Sequence, residues 1–195
     1  MNDTLNYYEQ NAQAFVDGTV HIDMSAHYRR FLEQIPKQAS ILDLGCGSGR
    51  DSRFFAELGY DVTAVDGSGE LCRRAEQVTG FPVRCLLFEE LDYSETFDAV
   101  WACASLLHVE KMNMRHVLEL VARSMKAGGI LYASYKYGCG QRSESGRFYS
   151  DYTETDIPTL FPKSGALCCI DWWITQDERP EHSSERWLNL LCRKQ

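Results

Sequence analysis

The sequence lacks any long run of basic residues, since the longest are pairs such as Arg29-Arg30 and Arg73-Arg74. Its 20 lysines and arginines are outnumbered by 28 aspartates and glutamates, which gives a formal net charge of −8 at pH 7. An acidic chain without a basic patch repels the phosphate backbone of nucleic acids. We therefore expect no nucleic-acid partner.

Long apolar runs are absent as well. No segment approaches the roughly 20 apolar residues that a membrane-spanning helix needs. The polar start of the chain, MNDTLNYYEQ, does not have the pattern of a signal peptide. We expect a cytoplasmic protein with no membrane partner, present as a monomer or a homodimer.

The eight cysteines include no CxxC pair, and their spacings fit neither a zinc site nor a small disulfide scaffold. We expect reduced thiols and no bound metal. Cys168 and Cys169 are adjacent on a predicted strand, where neighbouring side chains point to opposite faces. This geometry argues against one metal being shared by the two sulfurs.

With 195 residues, the chain is expected to form a single domain with one sizeable core. Short apolar segments alternate with longer segments of helical periodicity, and the connections are short. This alternation predicts a parallel sheet with helices on both faces. We expect strands at 40–44, 61–65, 83–88, 97–102 and 130–135, and helices at 51–58, 70–78 and 112–125, the last ended by Gly128-Gly129.

The two flanks of this core have a different character. Residues 1–39 predict a cap of two helices, whose aromatic side chains either pack on the sheet or form a lid over the strand ends. In the remaining core domain, 40–195, the stretch GCGQRSESGRFYSD predicts a mobile loop. A short helix near 154–160 and strands near 166–172 and 186–192 complete the expected elements.

Three glycines at alternate positions stand out in ILDLGCGSGR, residues 41–50. Gly45, Gly47 and Gly49 follow a predicted strand directly, where the main chain of a parallel sheet approaches ligands. Asp66 ends the next predicted strand, where a carboxylate can accept hydrogen bonds from both hydroxyls of a ribose. The combination predicts a nucleoside site.

The spacing G-x-G-x-G differs from the G-x-G-x-x-G fingerprint of dinucleotide sites. Asp43 lies at the end of the first strand, where an anionic side chain opposes a pyrophosphate but suits an ammonium or sulfonium group. An NAD(P)-dependent oxidoreductase also needs a Tyr-x-x-x-Lys pair on a helix. Tyr132 and Lys136 have that spacing, but they fall on a predicted strand.

At this point the chain resembles the class I S-adenosylmethionine-dependent methyltransferases. ILDLGCGSGR and VTAVDGS are similar to the first two motifs of that family, FDAVWACASLLHV to its fourth strand, and MKAGGILYAS to its fifth, with Ala127 where proline is usual. The resemblance implies a Rossmann-like seven-stranded α/β sheet with the last strand antiparallel. The compactness resembles tellurite-resistance-type methyltransferases, without an acceptor-specific motif.

The resemblance implies S-adenosyl-L-methionine as the cofactor, S-adenosyl-L-homocysteine as the product, and a small-molecule methyl acceptor. Methyl transfer is then an in-line displacement, for which the protein aligns the reactants and excludes water. The cofactor-binding residues carried over by position are Tyr8, Arg29, Asp43, Gly45, Cys46, Gly47, Gly49, Asp66, Gly67, Ser68, Phe88, Glu89, Cys103 and Ala104. A non-catalytic module that binds the cofactor remains an alternative function.

His108 follows the fourth strand and is the candidate catalytic base, since an ordinary imidazole titrates near neutrality. The alternative is a purely structural histidine. The acceptor is expected to lie against Tyr135, Lys136 and Tyr149. With Arg147 nearby, these residues suit a small, partly anionic acceptor, although a solvated loop with anchoring rings would have the same composition.

Overall fold

The computed structural model describes residues 3–179 and 182–195. Two helices, α1 (Asp3–Thr19) and α2 (Ser25–Leu32), precede the sheet. The central elements are β1 (Ser40–Leu44), α3 (Arg50–Glu57), β2 (Asp61–Asp66), α4 (Gly69–Thr79), β3 (Val83–Cys85), β4 (Phe97–Ala102), α5 (Lys111–Ser124) and β5 (Met125–Lys136). The C-terminal elements are β6 (Gln141–Glu144), β7 (Arg147–Ser150), α6 (Ile157–Leu160), β8 (Leu167–Gln176) and β9 (Arg186–Lys194).

Seven strands form one sheet in the order β3-β2-β1-β4-β5-β9-β8. The pairs β2–β3, β1–β2, β1–β4 and β4–β5 are parallel, whereas β9 runs antiparallel to both β5 and β8. The predicted α/β sheet with an antiparallel last strand is therefore confirmed. The strand order reverses between β1 and β4, and ligands of open parallel sheets bind at the carboxyl ends beside such a reversal.

Two local predictions were wrong. The helix α5 ends at Ser124, and β5 begins at the next residue, so Gly128-Gly129 lie inside a strand rather than at a helix end. The segment expected to be a mobile loop forms the hairpin β6–β7. Its two turn residues, Ser145 and Gly146, have φ of 50° and 79°. Left-handed values at both positions are those of a tight hairpin turn.

The helix α2 is part of the core on one face of the sheet. Trp101 of β4 stacks on Tyr132 of β5, with ring centroids 4.0 Å apart. Phe31 of α2 lies 5.0 Å from the Trp101 ring and 5.7 Å from the Phe55 ring of α3, and is fully buried. For α2, the structure therefore favours packing on the sheet over a lid. None of the helices in the described parts of the chain has the length and apolar character needed to span a membrane.

We expect Phe31→Ala to lower the free energy of unfolding by about 3–5 kcal/mol, because it leaves a cavity between α2, α3 and the sheet. Urea denaturation followed by tryptophan fluorescence measures this change. Leu58→Ala is the matched control, since that side chain is 54% exposed and its loss should cost under about 0.5 kcal/mol. Equal effects of the two substitutions would mean that α2 is not part of the cooperative core.

Candidate functional site

A cavity of about 470 Å³ lies over the carboxyl ends of the parallel strands. This volume falls in the range of pockets that enclose small organic ligands. The loop after β1 forms one wall, and the segments after β2, β3 and β4 form the next. The helix α1, the hairpin β6–β7 and the facing ends of β8 and β9 complete the lining.

The glycine loop after β1 is packed so closely that side chains would not fit. Gly45 has a φ of 79°, and a Cβ added there would lie 2.5 Å from the Cβ of Ser105. At Gly47 an added Cβ would lie 3.0 Å from the ring of Phe15 on α1. The amides of Gly45 and Cys46 both donate to the carbonyl of Val65 at 2.9 Å. The loop thus brings bare main chain to the cavity, as the sequence predicts.

Asp66 lies at the end of β2 and connects this loop to the next one. Its Oδ2 accepts the Gly47 N–H and its Oδ1 accepts the Ser68 N–H, both at 2.9 Å. Burial raises the pKa of Asp66, while the backbone donors act against that shift. Each carboxylate oxygen has two lone pairs. Both oxygens therefore keep capacity to accept a further hydrogen bond from a ligand.

A second buried carboxylate, Asp51, lies directly after the glycine loop on α3 and also lines the cavity. It accepts the Nε and Nη2 groups of Arg50 at 2.5 and 2.9 Å, the Tyr28 hydroxyl at 2.5 Å and the Trp101 indole N–H at 2.7 Å. Burial opposes the charged form of Asp51, but Arg50 and the other donors lower its pKa below the usual value. This ion pair fixes the Arg50 guanidinium beside the cavity.

His108 lies in a 3₁₀ turn after β4 and is held at both ring nitrogens. Nδ1 lies 2.6 Å from the carbonyl oxygen of Phe148, so it carries the proton and donates. Nε2 then accepts from the Tyr8 hydroxyl at 2.9 Å. Burial lowers the pKa of His108 to about 4, and the nearby Arg147 guanidinium adds to this effect. The expectation of an ordinary imidazole near neutrality is therefore wrong, because the ring is buried and neutral.

The thiols that line the cavity are not nucleophiles. Burial raises the pKa of the Cys103 thiol to about 12, and it raises the pKa of Cys46 as well. Since a thiolate rather than a thiol is the reactive form, both sulfurs stay inert at neutral pH. The cavity therefore does not offer a cysteine for covalent catalysis at these two positions.

Lys136 lines the far end of the cavity, where it is already paired. Its Nζ forms an ion pair with Glu185 and lies 3.6 Å from a carboxylate oxygen of Asp177. The same ammonium lies 4.4 Å from the centre of the Trp187 ring. Burial lowers the pKa of Lys136 to about 8, against the pull of Asp177. The charge of Lys136 is thus compensated within the protein.

Thirteen of the predicted site residues line the cavity, and the structure brings them together from seven separate segments. They are Tyr8, Gly45, Cys46, Gly47, Asp66, Gly67, Phe88, Glu89, Cys103, Ala104, His108, Lys136 and Tyr149. Their shared location agrees with the sequence pattern. The role of each one toward a ligand stays a prediction.

Two residues predicted with the glycine loop lie behind it and do not line the cavity. Asp43 is buried and accepts the Ser52 hydroxyl at 2.5 Å. Burial raises the pKa of Asp43, as does the neighbouring Asp51. The expectation that Asp43 faces a ligand cation is therefore not met. Gly49 faces α4, where an added Cβ would lie 3.1 Å from the backbone of Ala75.

Three more predicted residues point away from the cavity. Arg29 is exposed on α2. Ser68 begins α4, and its hydroxyl accepts the Leu71 N–H at 3.2 Å, so it caps the helix. Successive side chains of a strand point to opposite faces. Because Lys136 faces the cavity, Tyr135 packs into the core on the other side of β5 and is fully buried.

The sequence interpretation missed two groups of lining residues. Arg50 and Asp51 follow the glycine loop directly, and that adjacency was the signal that could have identified them. The second group consists of charged or ionisable residues that also line the cavity, namely Asp177, Glu178, Arg179, His182 and Glu185. No sequence motif marks these residues. They reach this edge of the sheet only because β9 pairs antiparallel with β8, which places the connection between the two strands there.

Known proteins resemble this chain in sequence and in fold. The family model described as a methyltransferase domain matches residues 41–129. A protein of Bacillus subtilis named as a methyltransferase is 34% identical over 105 residues, which are 50% of this chain and 42% of that protein. A ubiquinone biosynthesis O-methyltransferase of Xanthomonas oryzae is 36% identical over 49% of this chain and 42% of its own. The chain thus spans about two-fifths of the length of these curated relatives.

Among solved structures, a 1,6-didemethyltoxoflavin N1-methyltransferase of Burkholderia thailandensis superposes with a TM-score of 0.75. The two chains are 25% identical, and the match covers 97% of this chain and 84% of that one. That structure contains S-adenosylhomocysteine and its own acceptor. The chain therefore carries a methyltransferase domain at residues 41–129, and it has the fold of the class I S-adenosylmethionine-dependent methyltransferases.

Proposed function

We propose that this protein binds S-adenosylmethionine and transfers its methyl group to a small-molecule acceptor. One observation carries the proposal. The bare loop at Gly45 and Gly47 and the carboxylate of Asp66 lie side by side in the wall of a single cavity. A nucleoside with a charged amino-acid tail needs both a hydroxyl-binding carboxylate and close main-chain approach, and the Burkholderia thailandensis methyltransferase of the same fold contains S-adenosylhomocysteine.

The residues around the loop fit the separate parts of the cofactor. Asp66 would accept the ribose hydroxyls, and Phe88 beside it would contact the adenine with the neighbouring Glu89. The main chain at Cys103 and the glycine loop would hold the methionine part. Arg50, rather than the exposed Arg29, would pair with the carboxylate of the cofactor, since its guanidinium lines the cavity and keeps N–H groups beyond those bound to Asp51 and to the Thr19 carbonyl.

When bound, the cofactor supplies an electrophilic methyl group on a sulfonium, so the protein has only to align the acceptor and exclude water. The helix α1 contributes Phe15 and Tyr8 to the cavity wall, and these side chains cover the loop. His108 is neutral before the transfer, so its free Nε2 lone pair would accept a proton through the Tyr8 hydroxyl if the acceptor arrives protonated, and the ring would then be a cation until it releases that proton. The Phe148 carbonyl holds the opposite side of the imidazole throughout.

The alternative functions make different demands on the same cavity. An oxidoreductase with a Tyr-x-x-x-Lys pair would need both side chains beside the ligand. The Tyr132 hydroxyl donates to Asn189 at 2.8 Å, and Lys136 is held by Glu185 and Asp177. A module that binds the cofactor without turnover does not need these two side chains, and it differs from a methyltransferase only in activity. A screen of acceptors by mass spectrometry, which detects the added methyl group, distinguishes the module from the enzyme.

We expect calorimetric titration to show binding of S-adenosylmethionine and S-adenosylhomocysteine but not NAD. Asp66→Ala should weaken binding of both by about 2–4 kcal/mol, because one or two charge-assisted hydrogen bonds are lost. Asp61→Ala, an exposed carboxylate at the other end of the same strand, is the control for charge and should leave the affinity unchanged.

Thermal unfolding of Asp66→Ala must be recorded in parallel, since this carboxylate also binds the Gly47 and Ser68 amides. A folded variant with wild-type affinity removes Asp66 from the site. Absence of binding by the wild-type protein at millimolar cofactor, or binding of NAD alone, contradicts the proposed function.

We expect the His108 imidazole to remain neutral, with its proton on Nδ1, from pH 8 down to about pH 5, because its pKa is lowered to about 4. Nitrogen-15 spectra of histidine-labelled protein measure both the protonation state and the tautomer. The His108→Gln variant identifies the signal. A midpoint near the ordinary value of about 6.5 would show that the ring is solvated and not held by Phe148.

A further inference from the structure

We propose that the methyl acceptor carries a carboxylate on a ring-sized apolar body, and that Arg147 binds this carboxylate. The inference rests on the proposed function and goes beyond it, because it names the class of acceptor. Four cations that line the cavity are compared below. Neighbouring carboxylates neutralise Arg50, Lys136 and Arg179, but not Arg147.

Arg147 is the first residue of β7, and its backbone position is fixed by the residue that follows. The Phe148 amide donates to the Thr4 hydroxyl at 2.9 Å, and the Phe148 carbonyl accepts from His108 at 2.6 Å. The Arg147 guanidinium lies 4.6 Å from the centre of the Tyr7 ring and 5.5 Å from that of Tyr149. The rings of Tyr7 and Tyr149 and the fixed backbone of β7 thus hold the Arg147 guanidinium at the cavity wall.

Other cations of this region already have partners. Arg50 pairs with Asp51 at 2.5 Å, and Arg179 pairs with Asp177 at 2.7 Å. The ammonium of Lys136, which the sequence interpretation placed beside Arg147, is compensated as described above. Each of these charges is therefore satisfied before any ligand arrives.

Within residues 3–179 and 182–195, no carboxylate lies within ion-pair distance of the Arg147 guanidinium. Its Nε is buried and has no hydrogen-bond partner among those residues. Glu144 is directly opposite on β6, but its carboxylate is held by Arg142 at 2.7 Å. A buried donor without a partner costs free energy, and a ligand oxygen would remove that cost.

The surroundings favour a carboxylate over a phosphate. A guanidinium matches the planar fork of a carboxylate with two parallel hydrogen bonds. A phosphate dianion would need a second free cation, and instead Glu144 lies opposite Arg147 in the hairpin and Glu110 also lines the cavity. Leu107 and Val109 supply apolar wall to the same cavity. These features suit one negative charge attached to an apolar ring.

Benzoate and its uncharged analogue benzamide are suitable probes, titrated calorimetrically into protein saturated with S-adenosylhomocysteine. We expect benzoate to bind at least about tenfold more tightly than benzamide, and Arg147→Met to remove that preference. The affinity for S-adenosylhomocysteine should stay unchanged in this variant. Arg115→Met is the control for the loss of one positive charge, because the Arg115 side chain is 90% exposed on α5 and does not line the cavity.

The outcomes separate this inference from the proposed function. If wild-type protein does not bind S-adenosylhomocysteine, the proposed function fails and the inference falls with it. If S-adenosylhomocysteine binds but benzoate and benzamide do not differ, the inference alone is wrong. It is also wrong if Arg147→Met weakens S-adenosylhomocysteine binding, since the guanidinium then holds the carboxylate of the cofactor, or if Arg115→Met has the same effect on benzoate.

Discussion

The site depends on the way the ends of β2 and β4 hold the bare loop after β1. Asp66 accepts the Gly47 amide, and the carbonyl of Val65 accepts the amide of Gly45. Because Gly45 has no side chain, Ser105 at the end of β4 approaches to a distance that no Cβ would permit. These contacts set three strand ends at fixed separations, and the cavity follows from those separations. The strand ends form the base of the cavity, and the flanking helices form its walls.

Much of the fold could be predicted because its signals are local. Apolar runs, helical periodicity and the glycines after β1 act over a few residues, so the sheet and most helix positions follow from them. The errors arose where local rules conflict. Gly128-Gly129 suggests a helix end, yet Met125 already pairs with Phe97 of β4, so β5 begins before the two glycines. A segment rich in glycine and serine suggests disorder, yet Ser145 and Gly146 form a hairpin turn that packs near His108.

The candidate site was harder to predict, since the properties of its groups come from residues distant in the chain. His108 is neutral because burial and a cation from β7 disfavour its charged form, and nothing adjacent in sequence indicates this. Tyr135 and Lys136 were assigned to one pocket, although the alternation of a strand separates their side chains. Lys136 is paired with carboxylates and Arg147 is not, and this difference also has a non-local cause. The partners of Lys136 lie in the connection between β8 and β9, far from Lys136 in the sequence. Only the sequence-adjacent pair after the glycine loop could have been recognised.

Three hydrogen bonds connect the helix α1, the hairpin and the imidazole of His108. The Phe148 amide of the hairpin donates to Thr4 of α1, the Tyr8 hydroxyl of α1 donates to His108, and His108 donates to the Phe148 carbonyl. Since the Tyr8 hydroxyl occupies Nε2 and the Phe148 carbonyl occupies Nδ1, neither nitrogen of this imidazole is free. A ligand that contacts Nε2 directly therefore has to replace the Tyr8 hydroxyl, and it would exchange a contact between α1 and the ring for its own.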